Sequence, residues 1–234
     1  MLEAQINCNM TIAEEGLKNN WGANIGSVLL KEYPQGIKTE AKAWAASGSD
    51  ARMSGCKLPV VILSGSGNQG ITASVPVIRY AMNLGVSREK LYRALLISDL
   101  VTIHQKSGIG RLSAYCGAVS AGVGAGVGIA YLLDGSYDAI AHTIVNAVAI
   151  ISGTICDGAK PSCAAKIAAS VDAGILGYNM YRNQQEFKGG DGIVTKGVEN
   201  TIANIGVLAQ EGMRQTDRTI LSIMTEKCKV MQVW

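Results

Sequence analysis

Apolar positions recur with a helical period along most of this chain, and from Gly70 onward that period is almost unbroken. It predicts helices over 70–84, 87–106, 111–133, 136–154, 161–183, 196–211 and 215–228, punctuated by Gly108 and Gly110, Asp134-Gly135, Gly158 and Gly189-Gly190. Upstream, Thr11-Ile-Ala-Glu14 has the form of a capping box and predicts a helix running to about Asn19. Residues 24–33 and 38–46 read as shorter helices, the first with Asn24 as its N-cap. The apolar run 58–64 is ambiguous between strand and buried coil. No linker, low-complexity tract or internal repeat interrupts the pattern. The expectation is one compact all-α domain over 1–234 with buried Gly/Ala-rich central helices, and with 1–57 as a flanking helical layer.

Two stretches complicate that picture. Residues 112–133 and 139–156 contain no Asp, Glu, Lys or Arg, and Gly122 and Gly126 form a small-xxx-small pair of the kind found between membrane helices. A membrane hairpin is one reading. Against it, the spans carry Ser113, Ser120, His142, Asn146 and Ser152, and they lack aromatic belts and basic flanks. Helices apolar all round also suit the centre of a soluble bundle, so no membrane association is expected.

Composition narrows the function. Phe occurs once against 28 Gly, so the core is built from small aliphatic residues and close backbone contacts. The formal net charge of +3 is not clustered, and no basic block points to nucleic acid as a partner. Residues 1–16 carry Glu3, Glu14 and Glu15 and no basic side chain, unlike a secretory leader. Six cysteines then point to a reducing, cytoplasmic compartment, with thiols used for packing or chemistry.

Gly65-Ser66-Gly67-Asn68-Gln69-Gly70 is a literal GxGxxG between an apolar run and a helix, the outline of a dinucleotide fingerprint. The second strand with its acidic end does not follow; 87–106 has helical periodicity instead. Two readings stay open. One is a turn needing positive φ. The other is an anion site at a helix start, with Gly67, Asn68 and Gln69 receiving a substrate carboxylate.

The segment GTICDGAKPSCAAK (153–166) holds Cys156 and Cys163, and Cys116 lies upstream. No tight CxxC pair is present, which disfavours zinc. Iron–sulfur clusters also take thiolates, usually four for a cubane, and three would leave one iron open as a Lewis acid. Pro161 suits the first turn of a helix, placing Cys163 near a positive helix end with Lys160 close by. Simple packing remains the alternative, since free cysteine is among the most buried residue types.

The strings SDARMSG (49–55), SGSGNQGITAS (64–74), RLSAYC (111–116), ICDGAKPSCAAK (155–166) and QTDRTI (215–220) follow one another as in the L-cysteine desulfidase family. Those proteins are related to the alpha chain of iron–sulfur L-serine dehydratases. The resemblance implies a [4Fe-4S] cluster on Cys116, Cys156 and Cys163. It also implies conversion of L-cysteine and water to pyruvate, ammonia and hydrogen sulfide, without pyridoxal phosphate. The close Cys156/Cys163 spacing leans toward the desulfidase branch; serine dehydratase activity, or a non-catalytic helical subunit, is the alternative. Arg52 and Arg111 are further candidates for the substrate carboxylate.

One departure bears on activity. Full-length relatives are expected to be about twice as long, with a catalytic cysteine in an upstream GCTEP-like segment that is absent here. The missing N-terminal half would then be supplied in cis or by a separate subunit, and a homo-oligomer is possible. No catalytic residue is assigned within the chain. His104 is an acid–base or supporting candidate, and His142 reads as a core histidine. Asp50 and Asp157 are capping or catalytic candidates. Cys8, Cys56 and Cys228 have no assigned role.

Overall fold

The uncharged stretch around AGVGAGVG forms a helix at the centre of the molecule. The computed structural model describes residues 1–110 and 113–225. Within them the chain forms ten α-helices and no strand: α1 (Leu2–Lys18), α2 (Ile25–Glu32), α3 (Ile37–Met53), α4 (Gly67–Leu84), α5 (Arg88–Ile109), α6 (Gly117–Leu133), α7 (Tyr137–Ile151), α8 (Cys163–Arg182), α9 (Val198–Val207) and α10 (Arg214–Thr225). A π-helical turn, Leu208–Gly212, joins the last two. The all-α expectation holds.

Helix α6 is buried at every position from Ala118 to Ala130 and touches α4, α5, α7 and α8. Its glycines permit this. A Cβ at Gly126 would lie 2.6 Å from the backbone of Gly174 on α8, and one at Gly122 would lie 2.5 Å from that of Ser170. On another face, a Cβ at Gly124 would meet the Ser98 carbonyl of α5 at 2.6 Å. The small-residue pattern thus serves close helix packing around a central helix. No helix among the described residues is long and apolar enough to cross a membrane.

Helix α3 is likewise interior, buried from Ala41 to Ala51 except at Trp44, and it contacts α1, α4 and α8. The N-terminal boundaries differ from the sequence reading. Helix α1 begins at Leu2, and Thr11 sits inside it with Oγ1 donating to the Asn7 carbonyl at 2.7 Å. Its polar Gln5 and Asn9 are buried because each has a distant partner. Gln5 Nε2 donates to Asp99 Oδ1 at 3.0 Å, and Asn9 Nδ2 donates to Ser74 Oγ at 3.0 Å. Nor does the Asn24 side chain cap α2. Asp50 of α3 accepts from the Ile25 and Ala23 amides at 2.7 and 3.3 Å, capping α2 from a neighbouring helix. Ser87 caps α5 from within, accepting from the Lys90 amide.

Candidate functional site

Cys116 and Cys156 meet through a short backbone pairing. The segments flanking them run antiparallel, with Tyr115 opposite Ile155. The Cys116 amide donates to the Thr154 carbonyl at 3.1 Å, and the Cys156 amide donates to the Ala114 carbonyl at 2.6 Å. Alternation along an extended segment puts Cys116 and Cys156 on the same face, away from Tyr115 and Ile155. Tyr115 is buried and shares a 2.8 Å hydrogen bond with Ser152, which fixes the pairing from the core side.

The two thiols lie close enough to influence each other's ionisation. Cys156 and burial push the Cys116 thiol up. Cys116 draws the Cys156 thiol down against its own burial, helped by the Gly158 amide and the Lys166 charge. Cys163 opens α8. Its Sγ receives the Lys160 amide at 3.5 Å and lies 3.6 Å from the Gly158 carbonyl, and its field reaches Cys116. Cys116 is the N-cap of α6, so two of the three thiols stand at positive helix ends.

Lys166, on the first turns of α8, clamps the loop between Cys156 and Cys163. It donates to the Ile155 carbonyl at 3.1 Å and pairs with Asp157, whose carboxyl is held low by that bond. Asp157 is therefore tied up in the loop. Lys106, at the end of α5, was not singled out from sequence. It is buried, and desolvation lowers its ammonium pKa while Cys156 and Cys116 oppose that shift.

The glycine-rich segment lies alongside. Leu63 and Ser66 exchange backbone hydrogen bonds of 3.1 and 3.0 Å around Ser64 and Gly65, both at positive φ (47° and 83°), as a type I′ turn requires. Helix α4 starts immediately afterwards, leaving the amides of Gly67, Asn68 and Gln69 at its N-terminal end. Arg52 Nη1 donates to Asn68 Oδ1 at 3.2 Å, and the Arg52 guanidinium lies against Gly67, where a Cβ would stand 2.4 Å from Nε. Gln69 is buried against Gly117, beside Cys116, and its Oε1 has no hydrogen-bond partner among the described residues.

Arg52, Gly67, Asn68 and Gln69 are thus joined to the thiol site through Gly117. Arg111 and Cys228 lie outside the described residues. His104 is exposed and bonds Glu199 of α9 at 2.8 Å. His142 is not the core histidine expected: it is partly exposed, stacked on Tyr181 and 2.7 Å from Glu186. All five described cysteines are free thiols.

The donor set suits an iron–sulfur cluster in kind: three sulfurs, two of them at helix N-termini. Among the described residues no three Cys, His, Asp or Glu side chains are gathered tightly enough for a single metal ion. A cubane is wider and takes its thiolates at separate corners.

Residues 1–222 match the family model described as the serine dehydratase alpha chain. The chain is 64% identical over 228 residues to a UPF0597 protein of Desulfitobacterium hafniense, covering 97% of this chain and 53% of that protein. It is 55% identical over 224 residues to one from Lachnoclostridium phytofermentans, covering 96% and 54%. To the UPF0597 protein YhaM of Escherichia coli it is 41% identical over 231 residues, covering 97% and 52%. It spans about half the length of these relatives. No solved structure matches. The chain belongs to the serine dehydratase alpha chain family.

Proposed function

We propose that this chain is the cluster-bearing part of an iron–sulfur lyase that converts L-cysteine and water to pyruvate, ammonia and hydrogen sulfide, without pyridoxal phosphate. The observation that carries this reading is the meeting of Cys116 and Cys156, with Cys163 close enough for its field to reach Cys116. These thiolates would hold a [4Fe-4S] cluster. When bound with three protein ligands, such a cluster supplies an open iron that acts as a Lewis acid toward a substrate heteroatom.

The remaining residues have substrate-side roles. The α4 amides at Gly67–Gln69 and the Arg52 guanidinium form a cationic, donor-rich wall suited to the amino-acid carboxylate. Asn68 fixes Arg52 through their 3.2 Å bond. Gln69 joins this wall to the start of α6 through its packing against Gly117. The other half of the machinery, with its upstream cysteine, comes in cis or from a separate subunit in the cytoplasm. L-Serine is the second substrate reading, favoured by the family's own description.

Anaerobic turnover by the iron-loaded chain, together with the half its relatives carry, tests this. Sulfide and pyruvate released in equal amounts from L-cysteine support the desulfidase reading. Pyruvate from L-serine with no sulfide from L-cysteine selects the dehydratase. No pyruvate from either overturns the proposal.

A further inference from the structure

Residues 155 and 157, on either side of Cys156, are both held by one ammonium group. Lys166 Nζ donates to the Ile155 carbonyl at 3.1 Å and pairs directly with the Asp157 carboxylate. Lys166 lies on α8 three positions after Cys163, and so on the same face of that helix. One side chain therefore spans from the helix that carries Cys163 to the segment that carries Cys156. The α8 end of this span is firm: Ala164 and Ile167, on either side of Lys166, are fully buried, and the Lys166 amide donates to the Ser162 carbonyl at 3.2 Å. The connecting loop is not packed in this way. Residues 159–162 are all exposed, and Gly158 stands at positive φ (92°). Little in the loop itself fixes how far apart its two cysteines stand.

We infer that Lys166 is a positioning residue of the thiol site: by bonding the residues before and after Cys156, it presets the spacing at which Cys156 and Cys163 ligate one cluster. This rests on the cluster reading above. The Cys156 amide already ties that segment to the start of α6, through the Ala114 carbonyl. Lys166 supplies the second tie, to α8, so all three thiols are held before iron arrives. Without it the loop would have to be ordered on loading, and that conformational entropy would weaken binding. The charge of the clamp has the right sign as well. Lys166 acts on Cys156, while Cys116 and Cys163 act on Lys166, so the thiols that turn negative on ligation share a nearby cation. A purely structural ion pair would behave differently. The Lys166 and Asp157 side chains are 21% and 43% exposed, and pairs so placed add little to stability.

The test loads the 234-residue chain anaerobically with iron and sulfide, beside its Lys166→Met, Lys166→Arg, Asp157→Ala and Lys166→Met/Asp157→Ala variants. Two quantities are read: the rate of iron loss to a chelator, and the Tm of the iron-free form. Lys166→Met is expected to lose iron about 10- to 100-fold faster, the usual range for an outer partner of a metal site. Its iron-free Tm should stay close to native. Lys166→Arg, which keeps donors for both partners, should restore retention. Asp157→Ala should lose iron more slowly than Lys166→Met, because the bond to the Ile155 carbonyl remains. The double variant should be no worse than Lys166→Met, since the two residues share one interaction. Native retention in Lys166→Met, with a native chain that loads normally, overturns this inference alone. So does an iron-free Tm that falls in step with retention, or a double variant whose loss is the sum of the two single ones. An Arg variant no better than Met also counts against it. A native chain that takes up no iron overturns the cluster reading itself, and this inference with it.

Discussion

The Cys156 amide donates to the Ala114 carbonyl at 2.6 Å, and this bond ties the start of α6 to the loop before α8. Sequence-distant thiols are thereby held by backbone, while helix packing behind them sets their separation. Both levels can be perturbed independently.

The first perturbation is in the packing. A Cβ at Gly126 would lie 2.6 Å from the backbone of Gly174, too close for either helix to relax by a rotamer change. Gly126→Ala should therefore destabilise the chain by about 1–3 kcal/mol in urea unfolding. Because α6 starts beside Cys116 and α8 at Cys163, its iron uptake should fall as well.

A second prediction concerns pH. Burial raises the Asp99 carboxyl from 3.8 to about 6, opposed by the hydrogen bond from Gln5. The folded chain then binds this proton more tightly than the unfolded chain. Its stabilising contribution is complete below about pH 3.8 and is lost as pH rises through about 6. Asp99→Asn keeps an acceptor for Gln5 Nε2 and adds a donor for Gln5 Oε1, which has no partner among the described residues. At pH 7.5 the variant should be more stable, on the order of 2 kcal/mol. Thermal melts at pH 4.5 and 7.5 check this: the gain should shrink at the lower pH.

Asp50 offers a test of capping between helices. It is fully buried and accepts from two amides at the start of α2. Asp50→Ala should cost about 1–2 kcal/mol in denaturant unfolding, through loss of the cap. Asp50→Asn, which retains one acceptor, should cost less.

These particulars show what the sequence made legible. The helices after Gly70 were readable because each has a run of helical periodicity bounded by glycine or by a cap such as Ser87, but the helix read over 111–133 starts only at Gly117, since 113–116 are taken up by the pairing with 154–156. The start of α1 was not, because Gln5 and Asn9 interrupt the apolar pattern; their partners, Asp99 and Ser74, lie on other helices. In the site, Arg52 and the glycine-rich turn could be singled out locally. The pairing of Tyr115 with Ile155 could not, since a single bridge has no period. Lys106 was missed for a similar reason: a lysine near a helix C-terminus ordinarily reads as solvent-exposed, and only packing against α6 reveals its burial.

The role proposed for Arg52 in holding the substrate carboxylate is open to kinetic analysis. Arg52→Lys keeps a cation but loses the planar fork that bonds Asn68 and that the proposal aims at a carboxylate. In the active assembly it should raise KM for the amino acid by about 10-fold or more with a smaller change in kcat, as loss of ground-state binding does. Asn68→Ala should act in the same direction and be non-additive with Arg52→Lys, because the two residues share one hydrogen bond.

The most direct measurement is anaerobic loading of the chain with iron and sulfide, followed by iron analysis and absorbance at about 400 nm, where thiolate-to-iron charge transfer falls. The account predicts a cubane's worth of iron and a brown chromophore in the native chain. Both should be lost in Cys116→Ser, Cys156→Ser and Cys163→Ser and retained in Cys56→Ser. A native chain that stays colourless, or a chromophore that survives all three substitutions, would contradict it.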